Sequence, residues 1–160
     1  MLYLDFEGSY AKGIRQIGYL ITEDNNVIKA EEKNDDEAIE SLFDLQKNKY
    51  KYIVAHNSYV EKNFLKKYFP YCCDQNTRIV LEHAWLDSLR VYRTLYPNLG
   101  RFELKFLVET FIDPQVLQSE TESYCKKNED KFHHSLFDAI CVYLLIKRLT
   151  SRVNLDQFLH

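Results

Sequence analysis

The sequence predicts an α/β fold, a mixed five-stranded sheet flanked by helices, from three observations. Three segments with strand patterning open the chain, and helical and strand patterns alternate after them. No repeat, low-complexity tract or linker divides the 160 residues, which points to one domain over residues 1–160.

Each element has its own signature. Leu2 to Glu7 alternates apolar with acidic or aromatic residues, as a short strand does. Gly8 to Gly13 reads as a turn. Ile14 to Ile21 and Val27 to Glu31 follow as strands, joined by the turn formers Asp24, Asn25 and Asn26. Asn34 or Asp35 caps a helix to about Asn48, with Ala38, Ile39, Leu42, Phe43 and Leu45 on one broad apolar face. Tyr52 to Ala55 is a short buried strand. A helix from about Tyr59 to Tyr68 ends at Pro70, and Tyr71 to Arg78 is a loop. A strand around Ala84 to Leu86 leads into a helix near Ser88 to Leu95, which Pro97-Asn98-Leu99-Gly100 breaks. Phe102 to Phe111 is helical again. Gln118 to Lys131 is a polar stretch, and a long helix runs from about Ser135 to Leu149. A ribonuclease-H-like arrangement fits this order.

Composition narrows the function classes. Hydrophobic residues make up 46% of the chain and charged residues 28%, as in a globular domain rather than a disordered one. A chain of this size buries roughly two-thirds of its unfolded surface, enough for a core without disulfides. The net charge of −3 argues against a protein that grips many phosphates along a duplex, and less against one that holds a few nucleotides at a strand end. Cys72, Cys73, Cys125 and Cys141 form no CxxC pair and no disulfide framework, so a reducing cytoplasm is the expected setting. No basic region precedes a long apolar run at the N-terminus, which speaks against a signal peptide. Ala139 to Ile146 is too short to span a membrane, and no membrane partner is expected.

Three acidic sites carry the chemistry. Asp5 and Glu7 lie two apart on a strand, so their carboxylates share a face. Buried side by side they repel and lose hydration, unless a divalent cation with oxygen ligands neutralises them. An edge strand with its acidic face in water is the other reading of such a pair. Glu61 sits one turn into a helix just after His56 and Asn57, directed back toward the sheet. Ser58-x-x-Glu61 also has the spacing of a capping box. Asp138 lies in the first turn of the last helix with His133 just before it. There Ser135-x-x-Asp138 has capping-box spacing, and His133 has a chemistry suited to accepting a proton near neutral pH.

The order and spacing of Asp5-Phe6-Glu7, of His56-Asn57-Ser58-Tyr59-Val60-Glu61 and of His133-His134-Ser135-Leu136-Phe137-Asp138 resemble the DnaQ-like (DEDDh) family of 3′–5′ exonucleases. Ile14 to Gly18, Leu86 to Arg90 and Phe102 to Leu107 are similar to further segments of that family, so the resemblance spans nearly the whole chain. The chain departs from the pattern at Glu61, where the family usually has the shorter Asp, and at Ser135, where Ala is common.

The resemblance implies two Mg²⁺ or Mn²⁺ ions roughly 3.5–4 Å apart. Asp5 would bridge them, Glu7 and Asp138 would hold the ion on the nucleophile side, and Glu61 would help place the other. His133 would take a proton from the attacking water, and a nucleoside monophosphate would leave. His134 competes for that role, but only His133 has the five-residue interval to Asp138, and His134 is expected to point outward. Gly8, Ser9, Tyr10 and Asn57 are the candidate contacts to the terminal nucleotide, with Lys62, Lys66 and Lys67 nearby. The implied substrates are DNA or RNA 3′ ends, and a polymerase or repair complex is a candidate partner. Two alternatives remain: a catalytically inactive nucleic-acid-binding or scaffold module on the same fold, and an endonuclease of the wider ribonuclease-H-like group.

Overall fold

A computed structural model describes residues 1–68 and 84–159. The expected stop at Pro70, the loop at Tyr71 to Arg78, and Cys72 and Cys73 lie outside the described residues. Strands β1 (Leu2–Ser9), β2 (Gly13–Glu23) and β3 (Asn26–Asn34) form an antiparallel meander. Strands β4 (Ile53–Ala55) and β5 (Trp85–Asp87) then add in parallel, giving the sheet order β3-β2-β1-β4-β5. The sheet is mixed and five-stranded, as the sequence predicts, and β1 is its middle strand.

Among the described residues there are six α-helices: α1 (Asp35–Leu45), α2 (Tyr59–Tyr68), α3 (Ser88–Leu95), α4 (Leu104–Phe111), α5 (Pro114–Tyr124) and α6 (Ser135–Lys147). Helix α5 is a correction, because the sequence reading leaves its second half as a polar stretch. Its face offers little periodicity, burying only Thr121 fully. Its start was nonetheless legible: the Asp113 carboxylate accepts from the Gln115 amide at 2.8 Å, and Pro114 occupies the first turn. A short 3₁₀ turn, Leu155–Phe158, follows α6, and Leu159 bridges to Leu86 at the edge of β5.

The two faces of the sheet bury different partners. Leu2, Leu4 and Phe6 of β1 join Ile17, Tyr19, Leu42, Phe64 and Leu65 in a core beneath α1 and α2. Tyr3 points the other way, against α6. By the two-residue period Asp5 and Glu7 share that second face. Helix α6 is buried from Ser135 to Ile146, Asp138 included, so its apolar residues do not confine themselves to one stripe. It lies across β1 and β2, and α4 and α5 pack on it in turn. Among the described residues no helix is long and apolar enough to cross a membrane.

Candidate active site

The first pair of acids sits on the middle strand of the sheet, not on an edge. Asp5 and Glu7 are each half-buried. Burial holds the Asp5 carboxyl well above the usual carboxylate range, and the nearby Asp138 and Glu7 charges push it the same way. The water-facing edge reading of this pair therefore fails on topology.

Glu61 arrives from the end of β4. Beyond Ala55, His56 Nδ1 lies 2.9 Å from Ser88 Oγ and His56 Nε2 lies 3.0 Å from the Phe102 carbonyl. A carbonyl only accepts, so Nε2 carries the proton and Nδ1 accepts from the serine hydroxyl. Burial lowers the pKa of this imidazole, which suits the neutral form that such bonding requires. Asn57 then takes a left-handed turn, φ +66°, a conformation asparagine tolerates. The amides of Asn57 and Ser58 donate to the Asp87 carboxylate at 3.0 and 3.1 Å, and the Ser58 hydroxyl donates to it at 3.3 Å. Asp87 also accepts from Leu89 N–H at 2.9 Å, so one carboxylate at the end of β5 caps the starts of α2 and α3 together. The Ser58 amide, which a capping box would pair with Glu61, is thus already taken. Glu61 is only 3% exposed, and its Oε2 is buried without a hydrogen-bond partner among the described residues. Burial raises its pKa well above the usual range, and the Asp5 charge adds to the rise.

The third arm is the start of α6. His134, not Ser135, is the N-cap residue, and it makes no side-chain cap bond. Asp138 does not close a box with Ser135 but reaches back to His133, whose amide donates to Asp138 Oδ2 at 3.2 Å. The other oxygen, Oδ1, is buried without a partner among the described residues. Burial pushes the Asp138 carboxyl up to about 6, and the Glu7 charge contributes. His133 sits in the left-handed region at φ +71° and is exposed. One nitrogen of its ring and one carboxylate oxygen each of Glu7 and Asp138 all lie within 4.8 Å of one another. The expectation that His134 points outward is wrong. It is half-buried with Nδ1 turned inside, because the residue before a buried helix is carried into the core with it.

The candidate nucleotide contacts stand around this centre. Gly8 follows a break in the β1–β2 register, and a Cβ there would lie 2.3 Å from the Gly13 carbonyl oxygen, so the hairpin itself requires this glycine. Ser9 Oγ accepts from the Lys12 amide at 3.2 Å. Tyr10 is 74% exposed, and Asn57 is exposed too. Lys67 is occupied locally, donating to the Tyr10 carbonyl at 2.9 Å, while Lys62 lies over the Trp85 ring at 5.2 Å.

Glu7, His133 and Asp138 therefore meet between β1 and the start of α6, while Asp5 lies near enough to feel the charges of Asp138 and Glu7, and Glu61 of α2 near enough to feel that of Asp5. Burial raises the pKa of Asp5, Glu61 and Asp138, neighbouring acids of the group add to each rise, and one buried oxygen each of Glu61 and Asp138 has no hydrogen-bond partner among the described residues. Crowded oxygen donors that repel one another and lack proton donors suit hard divalent cations, which supply the missing positive charge. The sequence reading assigned no role to Asp87, Gln16, Glu32 and Gly18, which make contacts at the starts of α2 and α6. A Cβ on Gly18 would lie 2.0 Å from the Ser135 carbonyl carbon and the Leu136 nitrogen, so glycine lets the start of α6 press onto β2 directly beside Asp5. Asp87 had a local signal, an acid immediately before a helical run.

No family model and no curated protein sequence matches this chain. Solved structures do. Exonuclease X in complex with 5′ overhanging duplex DNA superposes with a TM-score of 0.60 at 15% identity, over 98% of this chain and 96% of that one. E. coli exonuclease I in complex with a dT13 oligonucleotide gives 0.63 at 14% identity, over 94% of this chain but 41% of that one. The zinc-bound form of the E. coli ExoI–ssDNA complex gives 0.57 at 15% identity. The likeness lies in the architecture: this chain has the ribonuclease-H-like fold that these exonuclease structures share.

Proposed function

We propose that the chain is a metal-dependent 3′–5′ exonuclease, one domain over residues 1–160, that releases nucleoside 5′-monophosphates from DNA or RNA 3′ ends by two-metal-ion hydrolysis. The observation that carries this reading is the meeting of Glu7, His133 and Asp138, with Asp5 and Glu61 within reach of one another's charge and buried oxygens of Glu61 and Asp138 without a partner among the described residues. The DNA held by Exonuclease X and by exonuclease I supports a nucleic-acid end as the ligand.

Asp5, Glu7, Glu61 and Asp138 would hold two Mg²⁺ or Mn²⁺ ions, which offset the charge of the phosphodiester and of the leaving oxygen. His133, exposed beside Glu7 and Asp138, accepts the proton of the attacking water. The Asp138 carboxylate, held by the His133 amide, keeps the backbone of that histidine in register with the helix. Tyr10 offers a face for the terminal base, and Gly8, Ser9 and Asn57 contact its sugar and phosphate. A reducing cytoplasm and a polymerase or repair complex suit an enzyme of this kind.

The test is a panel of end-labelled single-stranded DNA, duplex DNA and RNA with Mg²⁺, Mn²⁺ or EDTA. Stepwise release of mononucleotides from free 3′ ends, stopped by EDTA, by a blocked 3′ end and by Asp5→Asn, is expected. Cleavage of circular substrate would instead assign an endonuclease. Binding without metal-dependent cleavage would assign an inactive module, the outcome that the longer Glu61 arm makes worth testing.

A further inference from the structure

We infer that Gln16 and Glu32 are positioning residues of this site, two strand-borne tethers that set the rotation and depth of α6 and so place Asp138 and His133 against Asp5 and Glu7. The inference rests on the exonuclease reading and deepens it.

The first amides of any helix lack partners within it, and here the N-cap His134 offers none. Two are satisfied from across the fold. Ser135 N–H donates to Gln16 Oε1 at 3.0 Å, and Leu136 N–H donates to Glu32 Oε2 at 3.1 Å. Gln16 is itself fixed, because its Nε2 donates to Asn34 Oδ1 at 3.0 Å. Successive helical residues stand about 100° apart around the axis. Bonds from two adjacent ones to two different strands therefore define how the helix is turned, which a single cap cannot do.

The tethers and the acids share a common ruler. In the strand register Asp5 pairs with Gly18 and Gly18 with Glu32, while Glu7 pairs with Gln16 and Gln16 with Asn34. Paired residues of neighbouring strands point to the same face of a sheet. Each row thus runs from an acid of the site to a residue of the tether, and Gly18 leaves the gap into which α6 descends. The negative Glu32 also suits the positive end of the helix. Stability alone does not call for this arrangement. Helix α6 is already buried along its length, and a local Ser or Asp cap would serve its end. Glu32 instead keeps Oε1 buried without a partner among the described residues, an unfavourable choice that orientation explains.

The experiment compares Gln16→Ala, Glu32→Ala and Glu32→Gln with wild type in the full chain. Glu32 is half-buried, so truncating it opens the site to water rather than leaving a void. Mn²⁺ affinity is measured by calorimetry, kcat and KM on a labelled 3′ end, and amide exchange at Ser135 and Leu136. Both alanine variants are expected to lose about tenfold or more in kcat and in Mn²⁺ affinity with KM unchanged, and to exchange those amides faster. Glu32→Gln, which keeps the acceptor, should restore most of the loss. Alanine variants that bind Mn²⁺ and turn over like wild type would overturn the inference, and so would a glutamine variant as impaired as alanine. If wild type cleaves nothing, the exonuclease reading fails, while Mn²⁺ affinity and amide exchange still decide the role of the tethers.

Discussion

The starts of α2 and α6 each present an acid in their first turn, Glu61 and Asp138, and each has the spacing of a local capping box. In neither is the box made. At α2 one carboxylate, Asp87, takes the exposed amides of the turn. At α6 two side chains from an antiparallel pair of strands take them. The consequences differ. Asp87 ties α2 to α3, whereas Gln16 and Glu32 tie α6 to two strands of the sheet; Glu61 and Asp138 each keep one buried oxygen without a partner among the described residues. Both helices import their caps, and the acids nearest to hand are released for another purpose. A helix whose own acid closed its cap would satisfy the backbone and have less to offer a cation.

The largest expected effect breaks this comparison at the acids themselves. Asp138→Asn should abolish cleavage and Glu61→Gln should remove most of it, while Glu61→Asp keeps activity. The apo melting temperature should stay level or rise in the Asn and Gln variants, since neutralising one of several crowded carboxylates relieves repulsion. Near-wild-type turnover in Glu61→Gln would return Glu61 to a capping role, because glutamine caps almost as well as glutamate. The next effect sharpens the α6 side. His133→Ala should slow the chemical step by about 10²–10⁴-fold, the usual contribution of a general base, with metal binding nearly intact. His134→Ala, whose Nδ1 faces inward, should cost under about tenfold in rate. Swapped phenotypes would move the base to the other histidine.

The smallest effect is one of stability. Asp5, Glu61 and Asp138 all have pKa values raised in the folded state, Asp138 to about 6. Such acids favour folding fully below their unfolded pKa of about 4 and lose that contribution as pH rises through the folded value. The metal-free protein should therefore lose part of its melting temperature as pH climbs from about 4 through about 6 and beyond. Added Mn²⁺ should raise the melting temperature more near pH 8 than near pH 5, where protons compete for the same oxygens. Equal shifts at both pH values would show that Mn²⁺ does not bind through these carboxylates.

Much of the molecule was legible in its residues, and the exceptions have separate causes. Alternation in Leu2 to Glu7 placed two acids on one face, and the turn between β2 and β3 followed from turn formers such as Asp24 and Asn25. Helix α5 escaped because it buries little and so carries little periodicity. Gly18 gave no hint of its role, since a glycine inside a strand shows what approaches it only when the approaching element is in place.

Sequence by itself determined which acids exist, which elements bear them and which faces those elements bury, because side-chain direction follows the local period of strand or helix. Tertiary structure alone decided which carboxylates cap and which stay free. Gln16 meets Ser135 across 119 positions, and Glu32 meets Leu136 across 104. A helix-end amide bonds to whichever acceptor the fold brings within about 3 Å, and distance along the chain has no part in that competition.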